Sequence, residues 1–207
     1  MDGQLPLKLL VTRASPYARK ARAAVLELGL EAQVEIVELP VRLPQDTKPD
    51  VEALNPLGKI PALILNDLTP ILDSPVIVAY LDALAGGGLI PEGGDKWRVL
   101  TLEALADGCM DAGFVLRMEQ LKEPARQDPA EIAAYSAKID RTLDRLDREP
   151  DWLAGNFNVG QLALACAVDW LVFRNLVPDP LASRPRLGDW WARVRTRSAL
   201  AATVPRV

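Results

Sequence analysis

The sequence predicts an α/β unit followed by an all-helical unit. Over the first 84 or so residues, short apolar runs alternate with helical patterns. A glycine- and proline-rich stretch, Gly86-Gly87-Gly88 with Pro91 and Gly93-Gly94, then breaks the chain. Beyond it only helical periodicity remains. The expected division is therefore 1–84, a linker at 85–94, and 95–207.

In the first unit, Leu7-Lys8-Leu9-Leu10-Val11 reads as a buried strand. Ala18, Ala21, Val25 and Leu28 recur at helical spacing up to Gly29, which ends that helix. Val34-Glu35-Ile36-Val37 is a second strand. A long, polar, proline-rich connection leads through Asn55-Pro56-Leu57-Gly58 to a third strand, Ala62-Leu63-Ile64-Leu65. Asn66-Asp67 marks a turn, so Pro70-Ile71-Leu72 closes a hairpin, and a helix runs from about Ser74 to Leu84. In the second unit a long helix spans about Asp95 to Leu121. Ile132, Tyr135, Ile139, Leu143 and Leu146 form one apolar stripe opposite a charged face. Leu162 to Phe173 is apolar nearly all round, which marks a buried central helix. Trp190, Trp191 and Val194 belong to a last helix with arginines outside.

Composition narrows the chemistry. A net charge of −4 without a basic patch argues against a nucleic-acid partner. The chain has no histidine, which removes the commonest general base and metal ligand, so serine–histidine and zinc mechanisms are excluded and no metal is expected. Its two cysteines, Cys109 and Cys166, lie in apolar helical stretches at a spacing that fits neither metal binding nor a CxxC motif, and read as small buried hydrophobes. No run of about 18 apolar residues predicts a membrane span, and the N-terminus carries no secretory pattern, so the expected location is cytoplasmic.

Three short motifs carry functional expectation. Ser15-Pro16-Tyr17 opens the first helix with a capping serine and a proline at the first helical position. Taken alone it is an ordinary cap. A ligand at that helix end would meet free N–H groups, the positive end of the dipole and a hydroxyl able to donate to a thiolate. With no base nearby, that serine would act as a donor and not as a nucleophile. Gly58-Lys59-Ile60-Pro61-Ala62 precedes the third strand, where a cis X–Pro bond would turn the Ile60 backbone toward an extended peptide ligand. Asp73-Ser74-Pro75 repeats the serine–proline device, and there an acid beside a hydroxyl suits the ammonium and carboxylate of an amino-acid end group.

In this order and spacing the motifs resemble the cytosolic glutathione transferases, over essentially the whole chain. TRASPYARKAR, NPLGKIPAL and ILDSPVIVAYLD carry the resemblance in the first unit; LAGNFNVGQLALACAVDW and LGDWWARVRTRSALAATVP carry it in the second. The resemblance implies a thioredoxin-like N-terminal domain, a helical C-terminal domain, a homodimer, glutathione as co-substrate and a role in detoxification. It places Ser15 at the activating position, Ile60-Pro61 at the cis-proline pair, Asp73-Ser74 at the γ-glutamyl site and Lys59 near the glycyl carboxylate. The second substrate would be a small electrophilic or hydrophobic molecule. Tyr17, Met110, Phe114 and Arg117 are candidates to border it, against the alternative that they are ordinary core.

The chain departs from the family pattern in two places. Related thiol-active proteins carry cysteine where this chain has Ser15, so disulfide chemistry through that position is excluded. The helical-domain capping box reads Asn158-Val159-Gly160-Gln161 instead of Ser/Thr-x-x-Asp, with Phe157 and Leu162 placed for a hydrophobic staple. Asp169, alone in an apolar helix, is expected to be a structural hydrogen-bond acceptor, and Arg19, Lys20 and Arg22 to form a solvated helix face. A glutathione-dependent isomerase or dehalogenase, or a non-enzymatic binding or stress-response protein on the same fold, are the competing functions.

Overall fold

The computed structural model describes residues 6–40 and 49–206. The chain opens with β1 (Leu7–Val11), α1 (Pro16–Glu27) and β2 (Val34–Glu38), followed by α2 (Pro49–Leu54), β3 (Ala62–Ile64), β4 (Pro70–Ile71) and α3 (Ser74–Ala85). The strands form one mixed sheet in the order β2-β1-β3-β4. β1 runs parallel to β2, with Leu9 opposite Ile36, and antiparallel to β3, with Leu9 opposite Leu63; β4 returns antiparallel to β3. This is a thioredoxin-like unit, and the remainder is helical. The short α2 is a difference from the sequence expectation, which has a polar connection there: six residues opened by Pro49 are too few to show periodicity.

The helical part comprises α4 (Asp95–Gln120), α5 (Pro129–Arg148), α6 (Val159–Arg174), α7 (Pro185–Val194) and α8 (Ser198–Ala202). Every residue of α6 from Val159 to Leu171 is buried, which accounts for its uniform apolarity. α4 lies directly on it. A Cβ on Gly160 would sit 2.6 Å from the Val99 carbonyl oxygen, and one on Gly113 would sit 2.7 Å from Cζ3 of Trp170. Glycine is what allows the two helices to approach so closely. Cys109 and Cys166 are free thiols in this core, and burial pushes both up to about 11, which keeps them protonated.

The cap of α6 is kept with a different partner. Asn158 Oδ1 accepts from the Gln161 N–H at 3.1 Å, but the Gln161 side chain donates to the Ala154 carbonyl at 3.0 Å and not back to Asn158. One half of the expected capping box is therefore replaced by a tether to the preceding turn.

The expectation of a solvated face on α1 is overturned for two of its three residues. Arg19 is 1 % exposed and Lys20 is 0 % exposed. α1 packs against α3, α6, α8 and α4, so it has little solvent face to offer. Arg19 Nη2 lies 2.6 Å from Asp169 Oδ2 of α6 and donates to the Leu200 carbonyl at 3.2 Å. Lys20 Nζ lies 3.0 Å from Glu103 and 2.8 Å from Asp107, both of α4. Arg22 is half-buried. Asp169 is thereby explained: it also accepts from the Trp191 indole N–H at 2.6 Å, and its role is structural.

Candidate functional site

The site is assembled around the N-terminal ends of α1 and α3 and the entrance to β3. Ser15 caps α1 from extended backbone, φ −82° and ψ 126°, with its Oγ accepting from the Ala18 N–H at 3.2 Å. A hydroxyl used as an acceptor keeps its proton for a further partner. Pro16 occupies the first turn, where its missing N–H costs nothing. The preceding residue is held from the helical part: the Trp170 indole donates to the Ala14 carbonyl at 3.1 Å.

The Ile60–Pro61 bond is cis. The β1–β3 ladder begins at Ala62, so the N–H and C=O of Ile60 lie beyond it. Asn55 fixes this approach. Its Nδ2 donates to the Lys59 carbonyl at 2.8 Å and its Oδ1 accepts from the Leu57 N–H at 3.0 Å. The Lys59 side chain is exposed and forms no ion pair among the described residues.

Asp73 is the N-cap residue of α3, yet its carboxylate makes no capping bond and is exposed. The first helical bond runs from the Ile77 N–H to the Asp73 carbonyl at 2.9 Å, which leaves the N–H of Val76 unpaired within the helix. Ser74 is 1 % exposed, and its Oγ has no hydrogen-bond partner among the described residues. A buried hydroxyl without a partner is costly. Here it adjoins a free carboxylate and an unpaired helix N–H.

The remaining candidates separate. Tyr17 donates to Asp111 Oδ1 of α4 at 2.5 Å. Burial first, then this bond and the charges of Asp111, Asp107 and Asp73, hold its hydroxyl far above the ordinary range, so it stays a phenol. Phe114, one turn beyond Asp111, is 41 % exposed. Met110 is 0 % exposed and belongs to the core, which removes it from any ligand-facing wall. Sequence reasoning misses Trp170, Asn55 and Asp111. Asn55 had a visible signal in the Asn-Pro-Leu-Gly turn; the other two act across the two units and leave no local trace. A cavity of about 470 Å³ lined by Glu27, Gly88, Phe157 and Arg197 lies at the C-terminal end of α1 and includes none of the candidate residues. No group of three metal-ligating side chains occurs among the described residues.

Comparison with known proteins decides the family. Residues 14–84 match the family model of the glutathione S-transferase N-terminal domain. The uncharacterized GST-like protein YibF of Escherichia coli (strain K12) is 33 % identical over 96 % of this chain and 98 % of its own. A crystal structure of a glutathione transferase family member from Pseudomonas fluorescens Pf-5, with bound glutathione, is 36 % identical with a TM-score of 0.92, covering 97 % of this chain and 100 % of that one. The chain belongs to the glutathione transferase family. A second structure from the same bacterium holds S-(propanoic acid)-glutathione, at 36 % identity and a TM-score of 0.88, again over 97 % of this chain and 100 % of that one. In this glutathione transferase family member the end of β1, the entrance to β3 and the end of β4 lie at one end of the sheet, since Leu10 pairs with Ala62 and Leu63 with Ile71, and the helical part reaches the start of α1 through Trp170 and Asp111.

Proposed function

We propose that the chain binds glutathione and promotes attack of its thiolate on a small electrophile. The observation that carries this reading is the buried, unpartnered Ser74 hydroxyl beside the free Asp73 carboxylate. That pair suits the carboxylate and ammonium of a γ-glutamyl group. The Ile60 backbone, outside the ladder at a cis-proline, pairs with the central cysteinyl residue as a strand would. Lys59 attracts the glycyl carboxylate. Ser15, with its acceptor function used by Ala18, donates its proton to the sulfur. The thiolate also lies at the positive end of α1. Each unit by which these donors lower the thiol pKa is worth about 1.4 kcal/mol. Proximity to the electrophile supplies the rest of the acceleration. Phe114 and Tyr17 border the electrophile.

In this reading residues 1–84 form the glutathione-binding domain, 85–94 the linker and 95–207 the helical domain. The Pseudomonas fluorescens relatives hold glutathione and a glutathione thioether, the second being the kind of product conjugation leaves. We read the chain as a cytoplasmic homodimer that serves detoxification. Among the described residues, no helix is long and apolar enough to cross a membrane. The exposed Val76 and Leu84 of α3 and Trp97 of α4 offer apolar surface to a second copy.

Isothermal calorimetry with glutathione is the deciding experiment. Absence of binding up to several millimolar overturns the reading. Binding without acceleration of any reaction across an electrophile panel favours the non-enzymatic alternative, and turnover confined to isomerisation or dehalogenation favours the other.

A further inference from the structure

α4 and α6 run side by side in the same direction. Gly160 of α6 abuts Val99 and Leu102 near the start of α4, Gly113 abuts Trp170 further on, and Gln120 Nε2 donates to the Asn175 carbonyl at 3.0 Å where both helices end. Residues four positions past a shared contact lie one turn on, about 6 Å along the same face. Past the Gly113–Trp170 contact those residues are Arg117 and Arg174.

Both arginines are half-buried. Neither has a carboxylate partner among the described residues. Arg117 Nη1 donates only to Gln120 Oε1 at 3.4 Å, and Arg174 lies 4.7 Å from the centre of the Phe173 ring. Burial first, and then the adjacent positive charge of Arg117, pull the Arg174 guanidinium below its usual value. Two like charges kept close, partly desolvated and without an acid form an arrangement that an anion relieves.

The position relative to the thiol site follows from the same contacts. Trp170 holds the Ala14 carbonyl, immediately before Ser15. Along α4, Tyr17 is bound to Asp111, then comes exposed Phe114, then Arg117, which lies about 9 Å of helix rise beyond Asp111. From Ser15 outward the wall thus changes from polar to aromatic to cationic.

We infer that Arg117 and Arg174 are specificity-determining residues that bind an anionic group on the second substrate, and that the electrophile is a small carboxylate-bearing molecule whose apolar body lies against Phe114. The inference rests on the proposed glutathione site. Phe114 supplies the contact for a planar or short aliphatic body, and the paired guanidiniums supply fork-shaped donors to a carboxylate.

The test uses two conjugates that differ in one group, S-(4-carboxy-2-nitrophenyl)glutathione and its 4-carboxamide counterpart, with affinities read by calorimetry alongside free glutathione. The expected result is about tenfold tighter binding of the carboxylate conjugate by the wild-type chain. That ratio should fall toward one in Arg117→Gln and in Arg174→Gln, and recover in part in Arg174→Lys. Equal affinities of the two conjugates for the wild type overturn the inference, as does a ratio that survives both glutamine variants. If glutathione binds while the ratio is one, only this inference fails. If neither glutathione nor either conjugate binds, the proposed function fails first.

Discussion

Replacing Lys20 by methionine removes one charge from the contact between the two units and keeps most of the side-chain volume. Lys20 is 0 % exposed, and its Nζ lies 3.0 Å from Glu103 Oε1 and 2.8 Å from each oxygen of Asp107. In the variant two carboxylates remain without their cation, and Glu103 is itself buried. Breaking a buried pair in this way costs about 3–5 kcal/mol. For a chain of this size about 2–4 °C of melting temperature accompanies each kcal/mol, so the expected loss is about 6–20 °C near neutral or alkaline pH. The pH dependence distinguishes charge from packing. Burial pushes Asp107 up to about 6, although Lys20 pulls it down. Its folded pKa lies above the unfolded value, so the folded chain binds the proton more tightly. The stability from this proton is present below about pH 4 and is lost as pH rises through about 6. Without Lys20 the opposing pull disappears, Asp107 titrates higher still, and the variant recovers part of its loss in acid. Circular-dichroism melts of both proteins at about pH 8 and about pH 5.5 check this, with the smaller difference expected at the lower pH. A loss under about 2 °C at both values would mean that Lys20 is solvated, and an equal large loss at both would assign the effect to packing instead of charge.

Ser15→Ala should leave glutathione bound but raise the pKa of its thiol, read from ultraviolet thiolate absorbance against pH; the lost cap costs about 1 kcal/mol of stability, and superimposable titrations would show that Ser15 does not activate the thiol. Asp73→Ala should weaken glutathione by about 1.5–3 kcal/mol in calorimetry with little change in melting temperature, because its carboxylate makes no capping bond; unchanged affinity with a collapsed melt refutes the assignment. Gly160→Ala should destabilise the chain by about 1–3 kcal/mol, since the new Cβ meets the Val99 carbonyl at 2.6 Å and Leu102 Cβ at 2.8 Å; a denaturation midpoint equal to that of the wild type would show that α4 and α6 can part without cost.

The motifs and most elements were legible because their causes are local. Ser15-Pro16 announces a helix start through the chemistry of its own two residues, and α6 announces burial because every one of its faces meets apolar neighbours. What the sequence conceals is decided by partners far along the chain. Arg19 and Lys20 look like a solvated face because their compensating acids, Asp169, Glu103 and Asp107, lie more than 80 positions away. Tyr17 and Asp111 meet across 94 positions, and Trp170 reaches Ala14 across 156. Met110 and Phe114 show the same limit on one helix. Both are large and apolar, four positions apart on α4, yet only the packing of the other helices on α4 decides that one is core and the other exposed.

These long-range contacts converge on the few residues before and within the first turns of α1. Ser15 can donate usefully to a thiolate only if its Oγ is held within a few tenths of an ångström, because hydrogen bonds weaken steeply with distance and angle. Its own cap to Ala18 fixes the rotamer and does not fix where the helix stands. That position is set from the helical part, through Trp170 on the Ala14 carbonyl, Asp111 on Tyr17, Glu103 and Asp107 on Lys20, and Asp169 on Arg19. Four anchors, one at Ala14 just before α1 and three at Tyr17, Arg19 and Lys20 on different faces of its first turns, leave α1 no freedom to rotate without stranding a buried charge or a desolvated donor. The same helices that carry these anchors, α4 and α6, also carry Phe114, Arg117 and Arg174. On the proposed reading, the two helices that hold the start of α1 in place, through Trp170 and Asp111, are thus also those that carry the residues assigned to the electrophile.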